Sequence, residues 1–387
     1  MKLLVDGVIF QFSSNRFCVG IERIWSSILP RLASYSDLDI VLLDRGNCPS
    51  IQGIERIEFP SYTWTNSAAD SILVDKLCLE VGADIFSSTY YTTPLGIPSI
   101  LFIYDMIPEN LGFDLSQRRW QEKQIAISFG SYYSCVSECV RSDLLRIYPS
   151  IGGDRSIVTY CGVESDTFNP RERHDVEAFK RKWGCTRPYY LVVGSCERQL
   201  NDQNVSLLCR AVRYLRDLEL EVLCLGGETK IGQDLLDELP PSISARSVDL
   251  TDEELACAYS GAEALVYPPL YEGFGMPVVE AMACGCPVIA TSLGSPGEVA
   301  GDAAMFISGW DEDELREAML ALRQPSCRKL RIESGLRRAA IYDWDITARG
   351  FYDLLKRAMV ETKDPAMQEF FREWKRHRIM QADVDVW

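Results

Sequence analysis

Short apolar runs alternate along most of the chain with segments whose apolar positions recur every three or four residues. Runs such as Leu3-Leu4-Val5 and Leu191-Val192-Val193, closed by polar residues or glycine, predict strands buried on both faces. The three-to-four spacing predicts amphipathic helices. In the first block the pattern predicts strands at Lys2–Phe10, Leu38–Leu43, Ile85–Ser88, Ser99–Tyr104, Ser134–Ser137 and Ser156–Tyr160. Helices are predicted at Ile21–Leu32, Ile125–Tyr133 and Val140–Tyr148. A polar stretch then runs from Gly162 to Trp183 through Asn169-Pro170, and reads as a linker followed by an opening helix.

A second alternation starts at the predicted strand Tyr189–Val193, which is followed by a helix over Asn204–Leu215. Strands are then expected at Glu221–Leu225, Ser244–Leu250, Ala264–Tyr267, Pro287–Thr291 and Ala304–Ile307. Helices are expected at Glu254–Ser260, Met276–Cys284, Glu312–Leu322 and Ile346–Val360, and Thr251 with Glu254 forms a capping-box spacing. Strand–helix alternation in two blocks implies an α/β protein of two doubly wound, mostly parallel sheets. The domain expectation is 1–165, then 166–363, with a last helix over 364–387 crossing back. In such folds ligands lie outside the carboxyl ends of the strands, here expected in the crevice between the blocks.

Composition narrows the function. The 387 residues carry 56 Asp and Glu against 40 Lys and Arg, a formal charge of −16. That demotes a general nucleic-acid binder, which needs a basic surface. No run of about 18 apolar residues predicts a spanning helix, and Asp6 interrupts the place where a secretory leader needs its apolar core. The expected location is cytoplasmic. The 14 cysteines, including Cys135 with Cys139 and Cys284 with Cys286, read as buried small hydrophobes. With only His174 and His377 present, a histidine base or multi-histidine metal site is disfavoured.

The densest chemical signal runs Tyr267-Pro-Pro-Leu-Tyr-Glu272-Gly-Phe-Gly-Met-Pro-Val-Val-Glu280-Ala-Met-Ala-Cys-Gly285. A buried strand ends at Pro268, and Glu272 enters a turn made by Gly273, Phe274 and Gly275. Pro277 suits a first helical turn, where its missing N–H has no intrahelical partner. The pattern delivers a helix N-terminus flanked by two carboxylates. Amides and the helix dipole there favour an anionic group, and a carboxylate one turn down accepts hydrogen bonds from vicinal hydroxyls. The ligand implied is a diphosphate between polyhydroxylated rings, a nucleotide sugar.

The same segment resembles the donor-site motif of the family 4 retaining glycosyltransferases, which have the GT-B fold of two Rossmann-like domains. Gly297-Glu298-Val299-Ala300-Gly301-Asp302 and Val248-Asp-Leu-Thr-Asp-Glu-Glu-Leu255 are similar to its flanking segments. Tyr104-Asp105-Met-Ile-Pro-Glu109 and Ser137-Glu-Cys-Val-Arg141 are similar to the acceptor domain of bacterial members. The resemblance implies transfer of a hexose from a UDP- or GDP-sugar to a glycan or lipid-linked acceptor in polysaccharide or lipopolysaccharide synthesis, with no metal. Glu280 would hold the donor ribose, and Glu272 would face the hexose and its anomeric carbon. Gly273, Phe274, Gly275 and Met276 would line the hexose and diphosphate. Gly194, Ser195 and Gln203 would lie near the phosphates, and Gly226, Val248 and Leu250 near the base.

The chain departs from the family pattern at two points. Gln203 stands where the family carries a diphosphate-gripping Lys, which leaves Arg198 as the cation of that loop. Tyr104-Asp105 replaces the usual His-Asp, so Asp105 is the candidate to orient or deprotonate the acceptor hydroxyl. Arg16, Gly20, Ser137 and Arg141 are further candidates for acceptor or phosphate contact. The aromatic and basic tail Met367–Arg378 is expected to return to the first domain, with a peripheral membrane foot as the alternative. A sugar-nucleotide epimerase of similar fold and a catalytically silent sugar-nucleotide-binding subunit are the rival functions.

Overall fold

A computed structural model describes residues 1–12, 19–64, 67–193, 202–215, 217–225, 231, 236–237, 239–361 and 365–384 of the chain. Two compact units are present: Met1–Tyr160 together with Trp344–Trp387, and Cys161–Asp343. Each is built on one wholly parallel sheet.

The first sheet comprises β1 (Lys2–Asp6), β2 (Asp39–Asp44), β3 (Ile54–Glu58), β4 (Ile85–Ser88), β5 (Ser99–Ile103), β6 (Tyr132–Cys135) and β7 (Ser156–Val158). Their spatial order is β3-β2-β1-β4-β5-β6-β7. The winding therefore reverses between β1 and β4, the place where doubly wound sheets open a crevice at their carboxyl edge. β4, β5 and β6 are buried throughout because helices cover both faces. β1 stops at Asp6, shorter than the Lys2–Phe10 run expected. Gly7 turns the chain against β2, where a Cβ would lie 2.6 Å from the Leu43 carbonyl and 2.4 Å from Cys48 Sγ, and Val8–Gln11 is a short helix.

The second sheet comprises β8 (Tyr189–Val193), β9 (Leu220–Leu225), β10 (Ile243–Val248), β11 (Ala264–Tyr267), β12 (Val288–Thr291) and β13 (Met305–Ile307). Its order, β10-β9-β8-β11-β12-β13, reverses between β8 and β11. Tyr190, Val192, Val222 and Val266 form its core with Leu207, Leu208 and Val212 of the helix Asp202–Val212.

The return to the first unit begins at Trp344, ahead of the expected 364. Phe351, on the helix Trp344–Glu361, stacks on Phe102 at 5.2 Å and meets Trp25 edge-on at 5.8 Å. Tyr352 stacks on Tyr35 at 3.9 Å and donates to Asp37 Oδ1 at 2.5 Å. The helix Pro365–Val384 is held by Phe371 and Trp374, 5.9 and 5.1 Å from Phe129, and by charge. Lys375 Nζ donates to Asp75 Oδ2 at 2.8 Å, and buried Arg378 donates to Ser71 Oγ at 3.0 Å. Among the described residues no helix is long and apolar enough to cross a membrane.

Candidate active site

β11 delivers the chain to the carboxyl edge of the second sheet beside its switch point. Tyr267, its last residue, is buried, and its hydroxyl donates to Glu272 Oε2 at 2.6 Å. The Gly273 amide donates to Glu272 Oε1 at 3.2 Å. The backbone of Glu272 is gripped from the next loop, its carbonyl accepting from Ser295 N at 3.1 Å and Ser295 Oγ at 3.0 Å. Gly294, at φ +69°, lets that loop approach, since a Cβ there would lie 2.8 Å from both N and O of Glu272. Thr291, ending β12, donates to the Pro269 carbonyl at 2.8 Å. Both ends of the turn are thus tied to the sheet, and the Glu272 side chain is half-buried at its edge.

Gly275, with φ +87°, starts the helix Met276–Ala283 in a left-handed conformation suited to glycine. No side chain caps the helix, and Pro277 occupies its first turn, so it leads with its amides and positive dipole end. Phe274 is buried edge-on against Tyr342 at 5.5 Å. Glu280 is buried one turn into the helix, and the Tyr259 hydroxyl donates to its Oε2 at 3.5 Å. Tyr259 is carried by the helix Asp252–Gly261, whose start is fixed by the expected capping box. Thr251 Oγ1 accepts from Glu254 N at 3.3 Å, and Glu254 Oε2 accepts from Thr251 N at 3.1 Å. Burial, then the charge and hydrogen bond of Glu272 and the charge of Glu280, push the Tyr267 phenol well above its ordinary range. Tyr267 thus lies within the field of both carboxylates.

The family model for glycosyl transferases group 1 matches residues 187–324, which include all six strands of the second unit's sheet and the whole Glu272–Glu280 turn. This part of the chain matches that family. It is 30% identical over 277 residues to an MMP alpha-(1->4)-mannosyltransferase from Mycolicibacterium hassiacum, covering 66% of this chain and 64% of that one. It is 29% identical over 242 residues to the O-antigen chain mannosyltransferase B of Escherichia coli, covering 59% and 61%. The chain thus spans under two thirds of the length of these relatives. In fold it is similar to a sucrose-phosphate synthase from Thermosynechococcus elongatus, at a TM-score of 0.71 and 16% identity over 93% of this chain and 99% of that one. The two Rossmann-like units are those of the GT-B fold.

The other predicted positions fall in three places. Val248 closes β10, and Leu250 precedes the Thr251 cap. Gln203 lies in the first turn of the helix Asp202–Val212, while Gly194, Ser195, Arg198, Gly226 and Arg16 lie outside the described residues. In the first unit, Asp105 follows β5, and its Oδ1 accepts from Ile107 N at 2.9 Å. Buried Lys123 donates to the Asp105 carbonyl at 3.0 Å and to Glu109 Oε2 at 2.8 Å, with Asp105 Oδ1 at 3.7 Å. Gly20 is in the first turn of the helix Val19–Leu32. Ser137 caps the helix Glu138–Ile147 by accepting from Val140 N at 3.1 Å. Arg141 donates to Ser156 Oγ at 3.1 Å and to the Gly153 carbonyl at 3.0 Å. Ser137 and Arg141 are thus engaged in local structure.

Two residues beside the predicted positions, one in each unit, escaped the sequence argument. Tyr267 had a signal, because a buried tyrosine ending a strand needs a partner for its hydroxyl. Lys123 had a weaker one: with Glu122, Ala126 and Ile127 it lies on the buried face of the helix Arg118–Phe129, where a cation must be paired. Among the described residues most cysteines are buried, Cys139, Cys257 and Cys327 being partly exposed, and burial pushes the Cys286 thiol up to about 12. Among the described residues no three His, Cys, Asp or Glu side chains are grouped to hold a metal ion.

Proposed function

We propose that the chain is a retaining glycosyltransferase that moves a hexose from a UDP- or GDP-sugar to a hydroxyl of a glycan or lipid-linked acceptor. The observation that carries this is the fixed Glu272 carboxylate beside the uncapped helix whose first turns hold buried Glu280. Glu280 accepts hydrogen bonds from the ribose hydroxyls. The helix amides and dipole, rather than a metal ion, meet the diphosphate, whose negative charge grows as the C1–oxygen bond breaks. Arg198 is the cation that the sequence offers to the same group. Glu272, held by Tyr267 and Gly273, presents negative charge where C1 becomes positive. Asp105, steadied by Lys123, orients the acceptor hydroxyl. That oxygen bonds to C1, its proton passes to the departing phosphate oxygen, and the nucleoside diphosphate leaves.

The two relatives named above are mannosyltransferases, so GDP-mannose joins UDP-glucose at the head of the donor panel. The test is to incubate the full chain with UDP- and GDP-hexoses and a panel of glycan and lipid-linked acceptors, following products by proton NMR. The expected result is released nucleoside diphosphate and a glycoside with the donor's anomeric configuration. An inverted product, or an epimerised donor without transfer, contradicts the proposal.

A further inference from the structure

Aromatic side chains gather at the carboxyl edge of the first sheet. They come from four separate loops: Phe12 after β1, Tyr62 and Trp64 after β3, Tyr90 and Tyr91 after β4, and Tyr104 after β5. Phe12 and Trp64 are parallel at 6.3 Å. Tyr62 and Tyr90 meet Trp64 edge-on at 5.1 and 5.9 Å. Tyr90 touches Tyr91 at 4.7 Å, and Tyr91 meets Tyr104 at 6.3 Å. Tyr104 also belongs to the core, stacking on Phe102 at 5.9 Å and accepting from Trp25 Nε1 at 2.7 Å. Tyr62, Tyr91 and Tyr104 are buried, whereas Phe12, Trp64 and Tyr90 keep part of their surface in solvent.

Hydrogen bonds tie the platform's loops together. Gln11 clamps the third loop in both directions: its Nε2 donates to the Tyr62 carbonyl at 3.0 Å, and its Oε1 accepts from Tyr62 N at 2.7 Å. The Ser88–Thr92 turn is stitched by Ser88 Oγ, which accepts from the amides of Tyr90 and Thr92, each at 3.0 Å. Tyr91 is held at φ +54°, a left-handed conformation that is costly for a bulky residue and recurs at binding sites. Thr92 ties the turn to buried Asp6 at 2.6 Å. The run ends beside an ion pair: Lys123 Nζ lies 5.9 Å from the centre of the Tyr91 ring and 3.7 Å from Asp105 Oδ1.

We propose that this edge is a pyranose-binding platform on which a sugar ring of the acceptor lies against Trp64 and Tyr90, toward Asp105. It deepens the function proposed above by giving the acceptor a carbohydrate contact. The electron-rich ring faces attract the polarised C–H groups on the apolar side of a pyranose, and a few fixed polar groups then read its hydroxyls.

Saturation-transfer NMR on the full chain with methyl α-mannopyranoside, methyl α-glucopyranoside and octyl glucoside tests this. Saturation should reach ring C–H protons in the wild type and disappear in Trp64→Ala, with Trp64→Phe restoring part of it. In the transfer assay Trp64→Ala and Tyr90→Ala should raise acceptor KM by about tenfold or more, leaving donor KM unchanged. Absence of saturation for every sugar, saturation confined to the octyl chain, or a wild-type acceptor KM in Trp64→Ala overturns the platform. If sugars bind in a Trp64-dependent way but no donor is ever consumed, the transferase proposal falls and the platform stands.

Discussion

Glu272→Gln lowers turnover by about 10²–10³-fold and leaves the chain folded. The substitution keeps the size: the amide oxygen can accept from Gly273 N, now 3.2 Å from Oε1, and the amide NH2 can donate to the Tyr267 hydroxyl, now 2.6 Å from Oε2, which turns from donor to acceptor. The grip of Ser295 on the backbone carbonyl does not involve the side chain. What is lost is the fixed negative charge, and its loss is felt where positive charge develops at C1. Donor KM should therefore change little while kcat falls, since the missing interaction belongs to the transition state. Steady-state kinetics beside a thermal melt check this. Wild-type kcat in a folded Glu272→Gln protein contradicts the assigned role.

Arg45→Met destabilises the first unit by about 3–5 kcal/mol. Arg45 and Asp6 side chains are both 0% exposed, and the guanidinium forks onto Asp6 at 2.6 and 2.7 Å. Its other edge donates to both oxygens of Asp70, at 2.7 and 2.8 Å. Burial opposes the Arg45 charge, but the two carboxylates overcome it and hold the group above its ordinary range. Methionine leaves buried Asp6 and partly buried Asp70 without their shared cation. Burial already raises Asp70, ahead of the lowering by Arg45, and removing Arg45 raises it further. A carboxyl raised in the folded state stabilises below its unfolded pKa of about 4, and that contribution fades as pH rises through the folded value. The deficit should thus be smaller at about pH 5 than at neutral pH. Urea unfolding followed by tryptophan fluorescence measures it, and a deficit below about 1 kcal/mol at pH 7 refutes the network's importance.

The sequence made legible those elements in which burial is complete or chemistry is dense. β8 was expected at Tyr189–Val193 and is found there, because a strand covered on both faces writes an unbroken apolar run. β3 was missed because it is an edge strand, Ile-Glu-Arg-Ile-Glu, whose charges face solvent and break the apolar run. The helix Ser67–Val81 was missed for a different reason: its buried face includes Ser67, Ser71 and Asp75, which receive Arg118, Arg378 and Lys375. With Val74 and Cys78 also buried while Leu73 and Leu79 face solvent, no single apolar stripe betrays the helix. The same limit hid Arg45 and Lys123, since a buried ion pair is recognisable only once its partners, distant in sequence, have met. At the site, the glycines, the proline and the Glu272–Glu280 spacing were local and could be read. The Ser295–Gly294 clamp comes from the loop after β12 and could not.

The central claim is that Glu272, Glu280 and the helix they flank grasp a nucleotide sugar. Titration calorimetry of the full chain against UDP- and GDP-hexoses, repeated with Glu280→Ala, tests it most directly. At least one nucleotide sugar should bind the wild type, and loss of the buried carboxylate should weaken that donor by about tenfold or more, as expected for a charge-assisted hydrogen bond to ribose. Equal donor affinity in wild type and variant, or no binding by any of them, contradicts the account.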